Sequence, residues 1–398
     1  MTINSKIRSL IIAAILGGMS SFAAQGAEAN NSSAPEISAA DAKLSFWDLP
    51  YLKEAFIDST PADRKDGLAL GDLVANGGNK AMILQLAQEI ADKKHGDYDS
   101  LLIARQGKLI FESYYLRGRV NQPHWQASTT KAYTSLVVGR AIQLGYLTMA
   151  DLNKPLISFL KDLDPVKFVD GVEKITLHKA LTMSSGLRFS EEQLTEFREK
   201  SSQFKGLDQI QAYLELSTPI TSESQSYHYQ SPDPIMVMQV LDAVVPGSAK
   251  DFIKNELLVK IGINVYSWKN DLSGLPTGDT GTSMTSRDMI KWGTLTINNG
   301  KWNGEQLISA KYLANATSRM TKPTEDWQPD TFNYGYFWYQ TDMTVGDKSY
   351  DVKIAWGGGG QHIITIEELD LIVVVTGHDL EDKIITQVAT IILPAFIK

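Results

Sequence analysis

The sequence has 398 residues, 43% of them hydrophobic, and a formal net charge of −8 from 38 basic and 46 acidic side chains. That balance argues against nucleic acid or an anionic membrane surface as the main partner. With no cysteine in the chain, disulfides, thiolate metal sites, lipoprotein attachment and a cysteine nucleophile are excluded, and stability must come from a packed core.

Residues 1–29 read as a secretory signal: Lys6 and Arg8, the apolar run from Leu10 to Leu16, then the small-x-small step Ala27-Glu28-Ala29. Ser21-Phe22-Ala23 and Ala24-Gln25-Gly26 are alternative cleavage sites, and an uncleaved anchor is the alternative to export. The run is short for a membrane span, so the expectation is an exported chain, periplasmic or secreted, without an integral membrane segment after cleavage. Residues 30–45 are expected to be flexible. An α/β domain is expected over 46–155 and 281–398, interrupted by a mostly helical domain over 156–280.

Between Ser100 and Tyr115, two apolar runs around Gln106-Gly107 predict a hairpin. A helix opens at Ser128, with Ala132, Leu136, Val137, Ala141, Ile142 and Leu144 at helical spacing and Gly145 as its stop. Further helices are expected over Ile210–Leu216 and Ile235–Val245. Strands are expected over His362–Ile366 and Leu369–Val375, followed by a closing helix from Ile384 to Leu393.

Ser128-Thr129-Thr130-Lys131 carries the chemistry. A serine hydroxyl is a poor nucleophile until a base is held within hydrogen-bond reach, and residues three apart on a helix share a face. The first turn also offers free N–H groups and the positive end of the helix dipole. The motif alone fits an N-capping serine with a snorkelling lysine equally well. It recurs at Ser158 to Lys161 and Ser202 to Lys205, where the flanking residues read as structural or solvated. The six histidines are scattered, so neither a metal cluster nor a Ser-His-Asp triad is legible, and His124 and His228 read as pocket or packing residues. G-x-S-x-G, H-E-x-x-H and the phosphate-binding G-x-x-x-x-G-K-[ST] are all absent.

Two later segments support the nucleophile reading. Tyr227-His228-Tyr229-Gln230-Ser231 enters an apolar helix, and a tyrosine there can relay protons beside a lysine. Trp356-Gly357-Gly358-Gly359-Gly360-Gln361 runs into a strand, where glycines permit close approach of a ligand to backbone N–H groups.

With the flanks Lys174 to Gly186, Met284 to Gly293, Asn299 to Gly304 and Tyr334 to Trp338, this order resembles the serine β-lactamase and penicillin-binding-protein superfamily. The resembling branch is that of class C β-lactamase-like esterases and 6-aminohexanoate-oligomer (nylon-oligomer) hydrolases. The resemblance implies a β-lactamase-like α/β (α+β) fold: a central antiparallel sheet flanked by helices, plus the helical insertion. It implies Ser128 as nucleophile, Lys131 as its activating partner and Tyr229 as the motif tyrosine, with Tyr227 as the fallback. The third motif falls on Trp356-Gly357-Gly358, and the oxyanion hole on the N–H groups of Ser128 and Gly359, or Gly358 if the glycine run slips. Ser231 and Trp356 stand where the family's β-lactamases carry asparagine and lysine, which weakens antibiotic recognition more than acyl transfer.

The expected activity is therefore hydrolysis of small carboxylic esters or amides without a cofactor or metal, with Trp356, Tyr227, Trp125, Trp327 and Trp338 as candidate pocket aromatics. A weak β-lactamase, a D-amino-acid peptidase and a nylon-oligomer-type amidase are alternatives on the same fold. A non-catalytic module binding cell-wall fragments and an anchored envelope protein are rivals of other classes.

Overall fold

Gln106 and Gly107, at φ 53° and 70°, close a two-residue hairpin turn between strands Tyr98–Arg105 and Lys108–Tyr114. Positive φ at both central positions matches the strands' right-handed twist. The computed structural model describes residues 33–200, 203–379 and 381–397. The signal reading of residues 1–29 and the Ser202 motif lie outside the described residues. From Ala34 onward the chain forms one compact unit.

The hairpin lies within a nine-stranded sheet. Across it the order runs Phe56–Asp58, Lys108–Tyr114, Tyr98–Arg105, Leu371–Gly377, Gln361–Ile366, Lys348–Gly357, Tyr339–Val345 and Asn333–Tyr334. All these pairs are antiparallel; Ala69–Leu70 alone pairs in parallel, against Lys108–Tyr114. The inner strand Leu371–Gly377 is buried along its whole length, so both faces of the sheet are covered.

Helix Ser286–Ile297 lies on one face. A Cβ added to Gly293 would come 2.7 Å from Ile372 Cγ2, so the missing side chain sets the approach of helix to sheet. Arg287 at its start pairs with Glu112 at 2.9 Å and Asp66 at 2.6 Å, and the Met284–Gly293 segment thus serves the scaffold. Helix Lys80–Ala91 packs with the closing helix. The latter is not continuous: Ile384–Gln387, a π turn over Val388–Ile392 and Leu393–Ala395 succeed one another.

The Ser128 helix, Thr129–Gln143, is buried on every side from Thr129 to Ala141, as expected of a helix enclosed by other elements. It contacts strand Lys348–Gly357 and helices Pro232–Val244 and Ala310–Ala316. Among the described residues between 156 and 280 the elements are helices and short turns, including Asp208–Leu216 and Pro232–Val244, with one two-residue strand, Ser267–Trp268. That strand pairs with Thr282–Met284, which in turn pairs with His124–Trp125 just before Ser128. Among the described residues, no helix is long and apolar enough to cross a membrane.

Candidate active site

Ala127 enters the Ser128 helix at φ 46°, a left-handed conformation that a residue with a side chain adopts only where its surroundings enforce it. Gln126 supplies that constraint: its N–H donates to Thr282 O at 2.9 Å and its side-chain amide to His124 O at 2.8 Å. Thr130 Oγ1 donates to Ala127 O at 2.8 Å. Ser128 occupies the cap position, yet its hydroxyl caps no backbone N–H. The capping reading therefore fails, and the oxygen is left to another partner.

That partner is Lys131. Only 4% exposed, it donates from Nζ to Ser128 Oγ at 3.1 Å and to Asp279 O at 2.9 Å. Its Nζ also lies over the Tyr229 ring, 4.8 Å from the centroid. Tyr229 is held by its backbone N–H, which donates to Glu325 Oε1 at 3.0 Å, and by an edge contact with Trp327 at 5.3 Å. Tyr227 is placed differently. It is buried in the core, accepts from Gln328 Nε2 at 2.8 Å, and burial pushes its hydroxyl pKa well above the ordinary range.

The glycine run forms the turn between strands Lys348–Gly357 and Gln361–Ile366. Gly359 and Gly360 have φ 87° and 91°, a region that favours glycine. Gly358 faces open space, whereas Gly357 is pressed against the turn that precedes the Ser128 helix. Trp356 donates from Nε1 to Asp382 Oδ2 at 3.2 Å and stacks on His362 at 5.8 Å. Asp382 also accepts from His362 Nε2 at 2.6 Å and Tyr98 OH at 3.1 Å.

Ser128, Tyr229, Trp327, Trp356, Gly358 and Gly359 line one cavity of about 550 Å³, with Lys131 beneath Ser128. Ser231 instead lines an adjoining hollow with Phe189, His228 and Tyr229, and Trp338 is in the core. A cavity of about 580 Å³ elsewhere is lined by Arg319, Asp342 and Asp351. Those charges are paired with one another, so it is chemistry rather than size that singles out the Ser128 cavity. Ser158, the second Ser-x-x-Lys serine, donates to Pro155 O at 2.6 Å and acts as a local turn bond.

His124 and His378 both engage Asp99, while His228 faces Glu325 at 3.4 Å. Among the described residues, no group of three or more metal-ligating side chains could hold a metal ion. Asp279, Glu325 and Asp382 escaped the sequence reading. Each acts across a long sequence separation through one carbonyl or carboxylate, and no local pattern marks such a role.

The Beta-lactamase family model matches residues 85–383. No curated protein matches the chain in sequence. Among solved structures, a class C β-lactamase aligns with TM-score 0.60 and 15% identity over 80% of this chain and 96% of its own. A D-stereospecific amidohydrolase from Streptomyces sp. aligns with TM-score 0.59 and 14% identity over 78% and 98%. An octameric penicillin-binding protein homologue from Pyrococcus abyssi aligns with TM-score 0.55 and 16% identity over 75% and 73%. These likenesses share the central antiparallel sheet and its helices, and since the family match spans well over half of the sequence, the chain belongs to the beta-lactamase family of the serine β-lactamase and penicillin-binding-protein superfamily.

Proposed function

We propose that this chain is an exported serine hydrolase that forms an acyl-enzyme on Ser128 and acts on carboxylic esters or small amides. The observation that carries the reading is the 3.1 Å contact between Lys131 Nζ and Ser128 Oγ, made inside a cavity that also presents Tyr229 and Gly359.

Ser128 Oγ attacks the carbonyl carbon while its proton passes to the Lys131 and Tyr229 pair. The N–H groups of Ser128 and Gly359 hold the tetrahedral oxyanion. The leaving alcohol or amine takes up the proton, and water then attacks the acyl-enzyme to release the acid. Esters are favoured, because alkoxide leaves more readily than amine. Trp356 and Asp382 on the cavity wall bring no cation to a substrate carboxylate, which supports the reading against efficient β-lactam turnover.

The test is a pre-steady-state burst with a short-chain nitrophenyl ester, repeated with Ser128→Ala, with intact mass spectrometry to find the adduct. A stoichiometric burst and an adduct on Ser128, both lost in the variant, are expected. Equal, adduct-free rates in the two proteins would overturn the mechanism and favour a cell-wall-fragment binding module. Export rests on residues 1–29 and is checked by N-terminal sequencing of the chain recovered outside the cytoplasm.

A further inference from the structure

A second chamber, of about 540 Å³, meets the Ser128 cavity at Gly358 and Gly359. Its walls are aromatic: Phe46, Trp47 and Trp125. Trp47 and Trp125 are 60% and 48% exposed, unusual for large apolar side chains grouped in one place and a mark of a surface that binds something.

The principal polar groups of the lining are already engaged within the protein. His124 uses Nε2 on Asp99 Oδ2 at 3.0 Å and Nδ1 on Trp125 O at 2.9 Å, and His378 uses Nδ1 on the same Asp99 oxygen at 2.9 Å. Gln361 directs its amide to Gly359 O at 3.3 Å and to Gly377 O. The exposed Lys269, the half-buried Ser283 and the indole N–H groups of Trp47 and Trp125 add the remaining side-chain polar groups of the lining. Such a chamber gains most from apolar surface, which leaves no polar group unpaired on either side.

The same contacts hold the walls in place. Phe46 sets its edge against His124 at 4.6 Å and Trp47 against His378 at 5.5 Å, so buried Asp99 anchors both aromatics through the two imidazoles. The N-terminal segment thereby becomes part of the site. Ser128 lines the first cavity and Gly359 lines both, so an acyl carbon on Ser128 with its oxygen directed at Gly359 would sit beside the second chamber.

We infer that the Phe46, Trp47 and Trp125 chamber is a subsite for an aryl or medium-length alkyl substituent of the substrate, an inference that rests on the Ser128 hydrolase reading.

The test compares kcat/KM for nitrophenyl benzoate and hexanoate against acetate, and for benzyl against ethyl acetate, in the parent, Trp47→Ala and Ser283→Phe. The first variant removes a wall and the second fills the space. Stoichiometric labelling of Ser128 by a small fluorophosphonate shows that each variant is folded. Both variants are expected to lower the large-to-small ratio by about tenfold or more in at least one series. Ratios within about twofold of the parent in both series, with full labelling and an inactive Ser128→Ala control, would overturn the subsite and leave the hydrolase reading standing. Undiminished turnover in Ser128→Ala would overturn the hydrolase reading and the inference with it.

Discussion

A Cβ added to Gly357 would lie 2.4 Å from Gln126 O and 2.8 Å from Thr129 Oγ1. Strand Lys348–Gly357 therefore touches the backbone that carries Ser128, and the glycine turn is positioned against Ser128 by the lack of one carbon. Gly357→Ala must push strand and helix apart, since the obstructing atom belongs to the backbone. The burst rate is expected to fall by about 100-fold, because displacements near 1 Å at a reacting centre have that effect. Stopped-flow kinetics read the rate, and circular dichroism shows whether the fold survives; a rate near the parent's would mean that this close approach is not required.

Lys131 holds two acceptors at once, Ser128 Oγ and Asp279 O. Lys131→Met keeps the length of the side chain and removes both bonds. Acylation is expected to slow by about 10²- to 10⁴-fold, the usual worth of a positioned proton acceptor. Stability should drop by about 1–3 kcal/mol, because the Asp279 carbonyl loses its partner. Single-turnover kinetics and urea melts separate the two effects, and a burst rate unchanged in Lys131→Met would remove the lysine from the mechanism.

Burial acts to raise the Asp382 pKa, but His362 and the other hydrogen-bond donors outweigh it and hold the carboxyl below its ordinary 3.8. A lowered carboxylate contributes stability above its unfolded pKa and loses that contribution as pH falls through the folded value. Asp382→Asn is expected to weaken the protein at pH 7 by about 1.5–3 kcal/mol, the range of a hydrogen bond to a charged group. It should also show a smaller loss of stability than the parent on acidification below 3.8. KM should rise as Trp356 loses its charged acceptor. Denaturant melts from pH 7 down to acid check the sign, and parallel acid profiles for parent and variant would contradict it.

Asp233 has the opposite sign. Burial at the start of helix Pro232–Val244 pushes its carboxyl from 3.8 up to about 7, and Oδ1 accepts from Gln230 Nε2 at 3.1 Å. The folded protein holds the proton more tightly than the unfolded chain, so this contribution is full below 3.8 and is lost as pH rises through about 7. Over that interval the loss approaches about 4 kcal/mol at most, at 1.36 kcal/mol per pKa unit. Asp233→Asn should flatten the decline and be the more stable protein at pH 8. Urea melts from pH 4 to pH 8 decide it; a parent with no decline, or a variant that declines equally, would refute the assignment.

Local features of the sequence carried much of this architecture. Three-residue spacing on a helix is enough to bring Ser128 and Lys131 together, and Gln106-Gly107 and the run from Gly357 to Gly360 mark turns because positive φ is a local property. The apolar strands on either side of the 367–370 turn were legible for the same reason. Strands Tyr339–Val345 and Lys348–Gly357 were not, because polar residues such as Asp342, Lys348, Ser349 and Lys353 interrupt their apolar pattern. Only tertiary packing decided that Tyr229 rather than Tyr227 faces Lys131, that the carbonyl of Asp279 is the lysine's second acceptor, and that Phe46 and Trp47 line one chamber with Gly358 and Gly359. Each of these pairs residues remote in sequence through one oxygen or one ring face, and a chain encodes such pairings in the summed packing of its core rather than in any short pattern.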